Sequence, residues 1–381
     1  MSAKCTSHSV LWGLRGRTEA LRPLTSSFAV KPRLTIRDIA REAGVSTATV
    51  SRVMNSPESV APDTRCAVQT VIDRHGYLSH GIAMSLASSR SMSIGLVIPT
   101  IINSIYASST QAIQGIAQAA GYTVLLGVSE FSPELEEKII RQLLERRVDG
   151  LILTGGERKR AIYDMIEANG VPYVVTWKLL PGNAGLPSVS FDNHRGGLVA
   201  MEHLIALGHR KIGLICGRSA LNDRARERRR AYEESIISCG LEVEARLIHE
   251  ADFELDSGRD AMRELLGLPE RPTAVFCAND VQAIGALHEC EEHGLRVPAD
   301  ISLVGFDDLP IAKYVRPQLT TIRVPAQRMG ELAATRIIEA LRTGGPAGSA
   351  ELPIELVVRD STAVVSTRNP RGRSIRMVQS P

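Results

Sequence analysis

The sequence has no arrangement of cysteine or histidine that would hold a metal ion. Its six cysteines are scattered, none forms a CxxC pair, and its nine histidines do not cluster at ligand spacing. Structural zinc sites need such pairs, and small secreted proteins space their cysteines for disulfides. We therefore predict a reduced, cytoplasmic protein that binds no metal and needs no cofactor.

Long apolar runs are missing as well. No stretch reaches the roughly 18 apolar residues that a membrane-spanning helix needs. Residues 1–33 carry no acidic residue before Glu19, but their longest apolar run, 10–14, is shorter than the core of about 7–15 residues in a secretory signal. We expect no membrane segment and interpret 1–33 as a disordered basic arm or the product of a misassigned start codon.

Motifs of common enzyme classes are also absent. The sequence contains no GxSxG, no GxxxxGK[ST] and no HExxH. His194, His203 and His209 lie near one another, but their spacing does not place them on one helix face, so we interpret them as surface residues. The sequence thus predicts no catalytic residues and a protein that is not an enzyme.

Charge is distributed unevenly along the chain. Residues 1–90 contain 12 lysines and arginines against 6 acidic residues, a net +6, so with +3 for the whole chain the remainder carries −3. A basic amino-terminal part is typical of a protein that meets a polyanion there and not over its whole surface.

Residues 35–55, TIRDIAREAGVSTATVSRVMN, indicate two short helices joined by a tight turn. Thr35 followed by Asp38 is a helix-start signal, and Gly44 supplies the left-handed position that ends a helix. Ser46 is a suitable N-cap for the second helix. The apolar face that the first helix would bury consists of Ile36, Ile39, Ala40 and Ala43.

The second helix presents an unusual outer surface. Its outward side chains are short and polar, whereas a surface that serves only solubility would favour glutamate and lysine. Such a helix suits close contact with another surface. The outward residues are Thr47, Thr49, Ser51, Arg52 and Asn55.

From Ser91 onward, short runs rich in valine, isoleucine and leucine alternate with amphipathic segments. Strands buried on both faces and separated by helices indicate parallel sheets covered by helices. Seven such runs are more than one compact sheet needs, so two α/β lobes are predicted. The runs are IGLVIP (94–99), YTVLLGVS (122–129), DGLILTG (149–155), PYVVTW (172–177), KIGLICG (211–217), TAVFCAND (273–280) and ISLVGFD (301–307).

Polar side chains stand where several of these predicted strands end. Asn279 and Asp280 follow TAVFCA, Asp307 and Asp308 follow ISLVGF, and Arg218 follows KIGLICG. Open parallel sheets bind their ligands beyond the carboxyl ends of the strands. A ligand site is therefore expected at these ends.

Several blocks of the chain carry a family resemblance: LTIRDIAREAGVSTATVSRVMN, DTRCAVQTVIDRHGY, HLIALGHRKIGLICG, CANDVQAIGAL and PADISLVGFDDLPIAKYVRPQLTTI. From Leu34 to about Ser366 the sequence resembles the lactose/galactose repressor (LacI/GalR) family. The resemblance implies an all-α helix-turn-helix DNA-binding domain followed by a two-lobe α/β effector domain with parallel sheets, like a periplasmic binding protein. It also implies a homodimeric repressor on a pseudo-palindromic operator in double-stranded DNA, switched by a small sugar, sugar acid or related metabolite.

The resemblance assigns roles to the second helix. A recognition helix in the major groove reads base edges with its amino-terminal side chains, while neighbouring hydroxyls and amides hold phosphates. By resemblance Thr47, Ala48 and Arg52 face the bases, where Ala48 offers a methyl contact and Arg52 can bind guanine through two hydrogen bonds. The residues implied to hold the DNA backbone are Thr35, Ser46, Thr49, Ser51 and Asn55.

The segment 80–91 joins the two parts and contains Leu86 on an apolar helical face. In the family this linker forms a hinge helix on DNA, and its leucine, matching Leu86, enters the minor groove at the centre of the operator. The family's frequent Pro-Asn is Ser79-His80 here. A plain flexible linker therefore stays open as the alternative.

The resemblance also nominates an effector pocket. Arg228 matches the family's arginine at the cleft, and Phe253 and Tyr106 match its aromatic residues. Asn279 and Asp307 would contact ligand hydroxyls. This set suits a polyol, and the arginine would also suit a carboxylate or phosphate on it.

Two alternatives concern single residues of this pocket. Arg228 could instead pair with Glu227 or Glu233 on its own helix. Trp177, at the end of its strand, could stack on a sugar or only pack in the core.

The predicted domains are 34–79 (helix-turn-helix), 80–91 (hinge) and 92–366 (effector and dimerisation), with a disordered tail over 367–381. The effector domain would divide into one lobe of 92–207 with 323–352 and another of 208–322 with 353–366. The rival interpretation is a two-lobe sugar-binding protein without a DNA role. Such a protein would have no use for residues 34–90.

Overall fold

The computed structural model describes residues 34–77, 90–179, 186–220 and 222–365. The chain divides into two units, with the boundary between residues 80 and 81. The predicted basic arm, Leu86 of the predicted hinge and the predicted tail lie outside the described residues. No helix in the described ranges is long and apolar enough to cross a membrane.

Over residues 34–77, the first unit contains three α-helices, Ile36–Glu42 (α1), Thr47–Asn55 (α2) and Pro62–His75 (α3), with a 3-10 turn at Pro57–Ser59. Their apolar side chains form one small core. Ile39 and Ala40 of α1 are buried there, while Ile36 and Ala43 are only partly buried. Because α2 contributes Val50 to this core, its opposite face is left to polar side chains. The other buried members are Val53, Val68, Val71, Ile72 and Tyr77.

Local signals in the sequence set the ends of α1 and α2. The backbone N–H and the hydroxyl of Thr35 donate to the Asp38 carboxylate at 2.9 and 2.7 Å, which holds the start of α1. Gly44 has a φ of +66°, a left-handed conformation that glycine adopts without strain, and it turns the chain toward α2. The Ser46 hydroxyl then accepts the backbone N–H of Thr49 at 3.1 Å. The helix pair therefore forms at the predicted place.

The second unit begins with a six-stranded sheet. Its strands are Ser93–Ile98 (β1), Thr123–Val128 (β2), Gly150–Thr154 (β3), Tyr173–Thr176 (β4), Ser188–Ser190 (β5) and Ala350–Glu351 (β11). The order across the sheet is β11-β5-β4-β3-β1-β2, and every pair is parallel. The helices of this lobe are Ser104–Ala119 (α4), Pro133–Glu145 (α5), Arg160–Ala168 (α6) and Ala326–Thr343 (α11).

A second six-stranded sheet forms the other lobe. Its strands are Ile212–Cys216 (β6), Ile248–Glu250 (β7), Ala274–Cys277 (β8), Ser302–Asp307 (β9), Thr320–Arg323 (β10) and Glu355–Val357 (β12). The order is β12-β10-β9-β8-β6-β7, and the edge pair of β10 and β12 is antiparallel whereas the other pairs are parallel. The helices are Asn193–Ala206 (α7), Asp223–Ser238 (α8), Leu255–Leu266 (α9) and Asp280–Glu292 (α10), with 3-10 turns at Ala245–Leu247 and Pro310–Lys313.

The position of helix α7 differs from the predicted lobe division at 207/208, which places this helix in the first lobe. It packs against α8 and against strands of the second sheet, so it belongs to the second lobe. Two glycines allow this close approach. A Cβ at Gly196 would lie 2.8 Å from the Phe306 ring, and one at Gly197 would lie 2.6 Å from the Ala231 Cβ. The alternation of strands and helices predicts this helix but not the sheet that it covers.

The prediction that His209 is a surface residue is wrong. It is buried, and its ring nitrogens lie 2.9 Å from the Thr273 hydroxyl and 3.1 Å from both the Ser302 hydroxyl and the Ala363 carbonyl oxygen. Burial lowers the pKa of His209. The ring therefore holds the chain after β12 against the start of β9.

Candidate functional site

The outward face of α2 carries the residues predicted to contact DNA. Thr47, Ala48, Arg52 and Asn55 are exposed. Helix α2 contains no acidic residue, and Arg52 forms no ion pair with the residues that the structure describes. A face with an uncompensated guanidinium and no carboxylate suits contact with a polyanion.

Hydroxyl and amide side chains of α2 and its N-cap form hydrogen bonds with one another. The hydroxyls of Ser46 and Thr49 lie 2.9 Å apart, and the Asn55 side-chain amide donates to the Ser51 hydroxyl at 3.2 Å. All four side chains reach the exposed or half-exposed surface of the helix. Thr35, by contrast, is committed to capping α1, although it too is exposed.

In the second unit, a small cavity lies between the two lobes, at the carboxyl ends of the strands. Its volume is about 20 Å³. The structure brings all five predicted effector residues to its wall. They are Tyr106 from the first lobe and Arg228, Phe253, Asn279 and Asp307 from the second.

Each of the three nitrogen atoms of the Arg228 guanidinium donates a hydrogen bond to a neutral partner. Its Nε and Nη2 atoms donate to the Asn193 side-chain oxygen at 3.1 and 2.9 Å, and its Nη1 donates to the Ala278 carbonyl at 2.6 Å. The guanidinium carbon lies 3.7 Å from the centre of the Phe306 ring. The alternative that Arg228 pairs with Glu227 or Glu233 is wrong, because those glutamates pair with Lys178 and Arg230, and with Arg229.

Asp307 is held beside these groups at the end of β9. Its carboxylate accepts the Asn279 side-chain amide at 2.6 Å, and its φ of +118° is a conformation that side chains rarely adopt. Burial raises the pKa of Asp307 to about 7, although Arg228 and the Asn279 amide favour the charged form. Asp307 can therefore accept or donate a hydrogen bond near neutral pH.

Trp177 both packs in the core and lines the cavity. It is buried, and its ring meets Tyr106 edge-on with 5.0 Å between centroids and Phe191 at 6.0 Å. Core packing of Trp177 is therefore confirmed, and stacking on a sugar stays a prediction.

The sequence-based set missed Arg224 and two asparagines of the cavity wall, Asn103 and Asn222. Each asparagine is the N-cap of a helix, α4 for Asn103 and α8 for Asn222. An asparagine that lies between a strand and the following helix could have marked both positions in the sequence. Asn279 before α10 lies in the same kind of place.

Comparison with protein families gives two matches in this order along the chain. Residues 35–79 match the family described as bacterial regulatory proteins, lacI family. Residues 201–362 match the periplasmic binding protein-like domain. The first match covers the helix-turn-helix and α3, and the second covers most of the second lobe together with α11.

Curated relatives align with most of the chain. Catabolite control protein A of Priestia megaterium is 33% identical over 330 residues, which cover 86% of this chain and 99% of that protein. The HTH-type transcriptional repressor PurR of Photobacterium profundum is 32% identical over 328 residues, covering 86% and 98%. The HTH-type transcriptional repressor CytR of Escherichia coli K12 is 32% identical over 332 residues, covering 86% and 96%.

Solved structures agree in fold. A LacI family regulator from Silicibacter pomeroyi superposes with a TM-score of 0.80 at 27% identity, covering 87% of this chain and 99% of that one. The lac repressor dimer bound to operator and the anti-inducer ONPF gives a TM-score of 0.75 at 30% identity, covering 87% and 100%. The complex of the transcriptional regulator CelR with cellobiose gives 0.64 at 31%, covering 86% and 100%.

A helix-turn-helix unit and a two-lobe unit with a polar cavity define a transcriptional regulator that carries a ligand-binding domain. The chain belongs to the LacI family of bacterial regulatory proteins. It is a DNA-binding transcriptional regulator, and the rival interpretation of a sugar-binding protein without a DNA role is not supported.

Proposed function

We propose that this regulator represses transcription as a homodimer on a pseudo-palindromic operator, and that a small sugar, sugar acid or related metabolite in the cavity switches its operator affinity. The observation that carries the proposal is the presence in one chain of an acid-free, exposed α2 face and a buried cavity walled by Arg228, Asn279 and Asp307. In this proposal the protein works in the cytoplasm and is not an enzyme.

DNA recognition is assigned to α2. Thr47, Ala48 and Arg52 would face base edges, because all three are exposed and Ala48 and Arg52 lie on the side of α2 opposite Val50. Leu86 would enter the minor groove, an assignment that comes from the family resemblance alone. The residues proposed to contact the DNA backbone are Thr35, Ser46, Thr49, Ser51 and Asn55.

We infer a homodimer from the small size of one helix-turn-helix unit. One helix-turn-helix unit makes too few phosphate and base contacts for tight specific binding, and two units on a palindrome double them. The lac repressor structure, which is a dimer bound to operator, supports this assembly by similarity.

The effector class follows from the wall of the cavity. Arginine, asparagine and aspartate offer directional hydrogen bonds to hydroxyls, and Tyr106, Trp177 and Phe253 offer ring faces, as in carbohydrate sites. The CelR structure, which contains cellobiose, supports a sugar-like ligand by similarity. Effector binding would alter operator affinity by a coupling of typically about 1–3 kcal/mol.

The test is fluorescence anisotropy with the full chain and its own upstream DNA, over a salt series, with and without sugars, sugar acids and sugar phosphates. We expect tight, palindrome-dependent binding that one compound alters. Arg228→Lys should abolish that response and leave DNA affinity unchanged, because Arg228 lies in the cavity and not on α2. Weak binding that ignores sequence and vanishes with salt would contradict the proposal.

A further inference from the structure

We propose that the effector carries a negative charge, a carboxylate or a phosphate, and that Arg224 binds this group where two cavities meet. The inference rests on the proposed function, since it names the chemical class of the ligand for the same site. Arg224 was not among the residues nominated from the sequence.

The charge inside the cavity favours an anionic ligand. Arg224 and Arg228 both line it and are each only 6% exposed. The hydrogen-bond acceptors of Arg228 are an amide oxygen and a backbone carbonyl, so no carboxylate in the described part of the chain neutralises it through a direct bond. A buried cation is costly unless an opposite charge lies beside it.

Asp307 offsets this positive charge only in part. Among the described residues that line this cavity, Asp307 is the one that is acidic. Since its pKa is raised to about 7, it is protonated in a large fraction of molecules near neutral pH. Arg224 is already paired with the Asp223 carboxylate at 2.8 Å, so the positive charge that stays uncompensated at this cavity is mainly that of Arg228.

Three helices begin at the wall of the cavity. Asn103, Asn222 and Asn279 are the N-caps of α4, α8 and α10, and all three line the cavity. The amino-terminal end of a helix carries a partial positive charge, so three such ends favour a bound anion. These helices come from both lobes, so the effect is strongest when the lobes are together.

Arg224 lies between two cavities. A neighbouring cavity of about 60 Å³ is also lined by Arg224, which therefore forms the common wall. Its Nη1 donates to the Asp223 carboxylate at 2.8 Å and lies against Gly155 of the other lobe, where a Cβ would be only 2.4 Å away. Gly155 therefore leaves the room that the guanidinium occupies.

The neighbouring cavity contains a polar group that lacks a partner. The Thr154 hydroxyl is buried, lies on the wall, and has no hydrogen-bond partner among the described residues. A ligand oxygen beyond Arg224 would supply one. The neighbouring cavity is also lined by the carboxylates of Glu136, Glu157 and Asp223. We therefore infer that the acidic end of the effector lies between Arg224 and Arg228, and that a hydroxyl of the effector reaches past Arg224 toward Thr154.

The experiment is isothermal titration calorimetry of the full chain with matched sets: glucose, glucuronate, gluconate and glucose 6-phosphate, the corresponding galactose compounds, and inorganic phosphate. We expect at least one acid or phosphate ester to bind tenfold or more tightly than its neutral sugar. Carboxylate and phosphate members separate the two anionic classes. Arg224→Gln should remove most of that preference and leave the affinity for the neutral sugar nearly unchanged.

Arg230→Gln is the matched control, because Arg230 lies on the same helix but is 53% exposed and outside both cavities. It should bind every compound as the unaltered protein does. The melting temperature of Arg224→Gln and its binding to upstream DNA without ligand show whether the variant is folded.

Three results would overturn the inference: neutral sugars that bind as tightly as their acids, no binding by any acid or phosphate, or an equal loss for acid and neutral sugar in Arg224→Gln. Failure of the proposed function would look different. The unaltered protein would then bind the acid in the calorimeter but would show no palindrome-dependent binding in the anisotropy assay.

Discussion

Arginine is used in two opposite ways in this protein. Arg52 is exposed on α2 and forms no ion pair within the described ranges, so its charge and its donors are available to an outside partner. Arg228 is buried, and its three donor atoms are fixed by Asn193 and Ala278. The first arrangement suits reversible contact with DNA, and the second suits a pre-organised binding wall.

Arg52→Ala tests base reading at the residue scale. Loss of a two-bonded contact to a base should cost about 1–3 kcal/mol on the cognate operator and little on random DNA. Anisotropy titrations on both DNAs, at one fixed salt concentration, measure the difference. An equal loss on both DNAs would show that Arg52 contacts only phosphate.

The affinity for an acidic effector should depend on pH through Asp307. Around it lie Arg228, Tyr106 and Asp280, and burial raises the pKa of Asp280 well above its usual range. As the pH falls from 8 to 6, Asp307 takes up a proton and stops repelling the anion, so affinity should rise severalfold. Calorimetry at several pH values measures this change.

Asp307→Asn is the companion variant. It should bind the acid at pH 8 about as the unaltered protein does at pH 6, with little dependence on pH. Affinity that falls as the pH is lowered would indicate that the ligand needs the Asp307 carboxylate as an acceptor, as a neutral polyol would.

At the scale of secondary-structure elements, the sequence predicts the helices and strands that short local patterns determine. The helix pair is marked by Thr35, Gly44 and Ser46, and the strands by apolar runs whose polar ends, Asn279 and Asp307, do meet at one cavity. The position of α7 on the second sheet could not be predicted, because periodicity reports that a helix is amphipathic and not which sheet it covers.

His209 shows the same limit for a single contact that joins distant elements. Its partners Thr273, Ser302 and Ala363 are 64 or more positions away in the sequence, so no local pattern indicates that the ring is buried. Arg224 could not be identified from the sequence for a related reason. Its place in the site depends on its contact with Gly155 of the other lobe.

The burial of His209 predicts a pH-dependent stability. Because its folded pKa lies below the ordinary value of 6.5, the stability that it contributes is present above pH 6.5 and is lost as the pH falls, since the unfolded chain then takes up the proton more readily. Melting temperatures between pH 7.5 and 5 should fall less for His209→Gln than for the unaltered protein. His288→Gln, at an exposed position, is the control, and equal slopes for all three proteins would contradict the prediction.

At the scale of the second unit, the lobes are joined by polar contacts across the cleft. The Gly156 N–H donates to the Asp223 carboxylate at 2.8 Å, and Lys178 donates to Glu227 at 2.7 Å. Arg226 pairs with Glu157. These contacts surround the cavities and favour the closed arrangement of the lobes.

Lys178→Gln should shift the lobes toward an open arrangement. The side chains of Lys178 and Glu227 are 18% and 19% exposed, and a half-buried pair of this kind contributes about 0.5–1.5 kcal/mol. Effector affinity measured by calorimetry should therefore fall about two- to tenfold. Arg230→Gln removes the partner of Glu227 that lies in the same lobe, and an equal loss in that variant would show that the pair does not act through closure.

The small size of the cavities has a consequence for timing. At about 20 and 60 Å³ they have room for only a few water molecules, so a sugar can enter or leave only while the lobes are apart. The rate of ligand uptake should then stop rising with concentration and level off at the frequency of lobe opening. The delay between the appearance of the metabolite and the change in transcription would thus have a lower limit that the protein itself sets, however abundant the metabolite becomes.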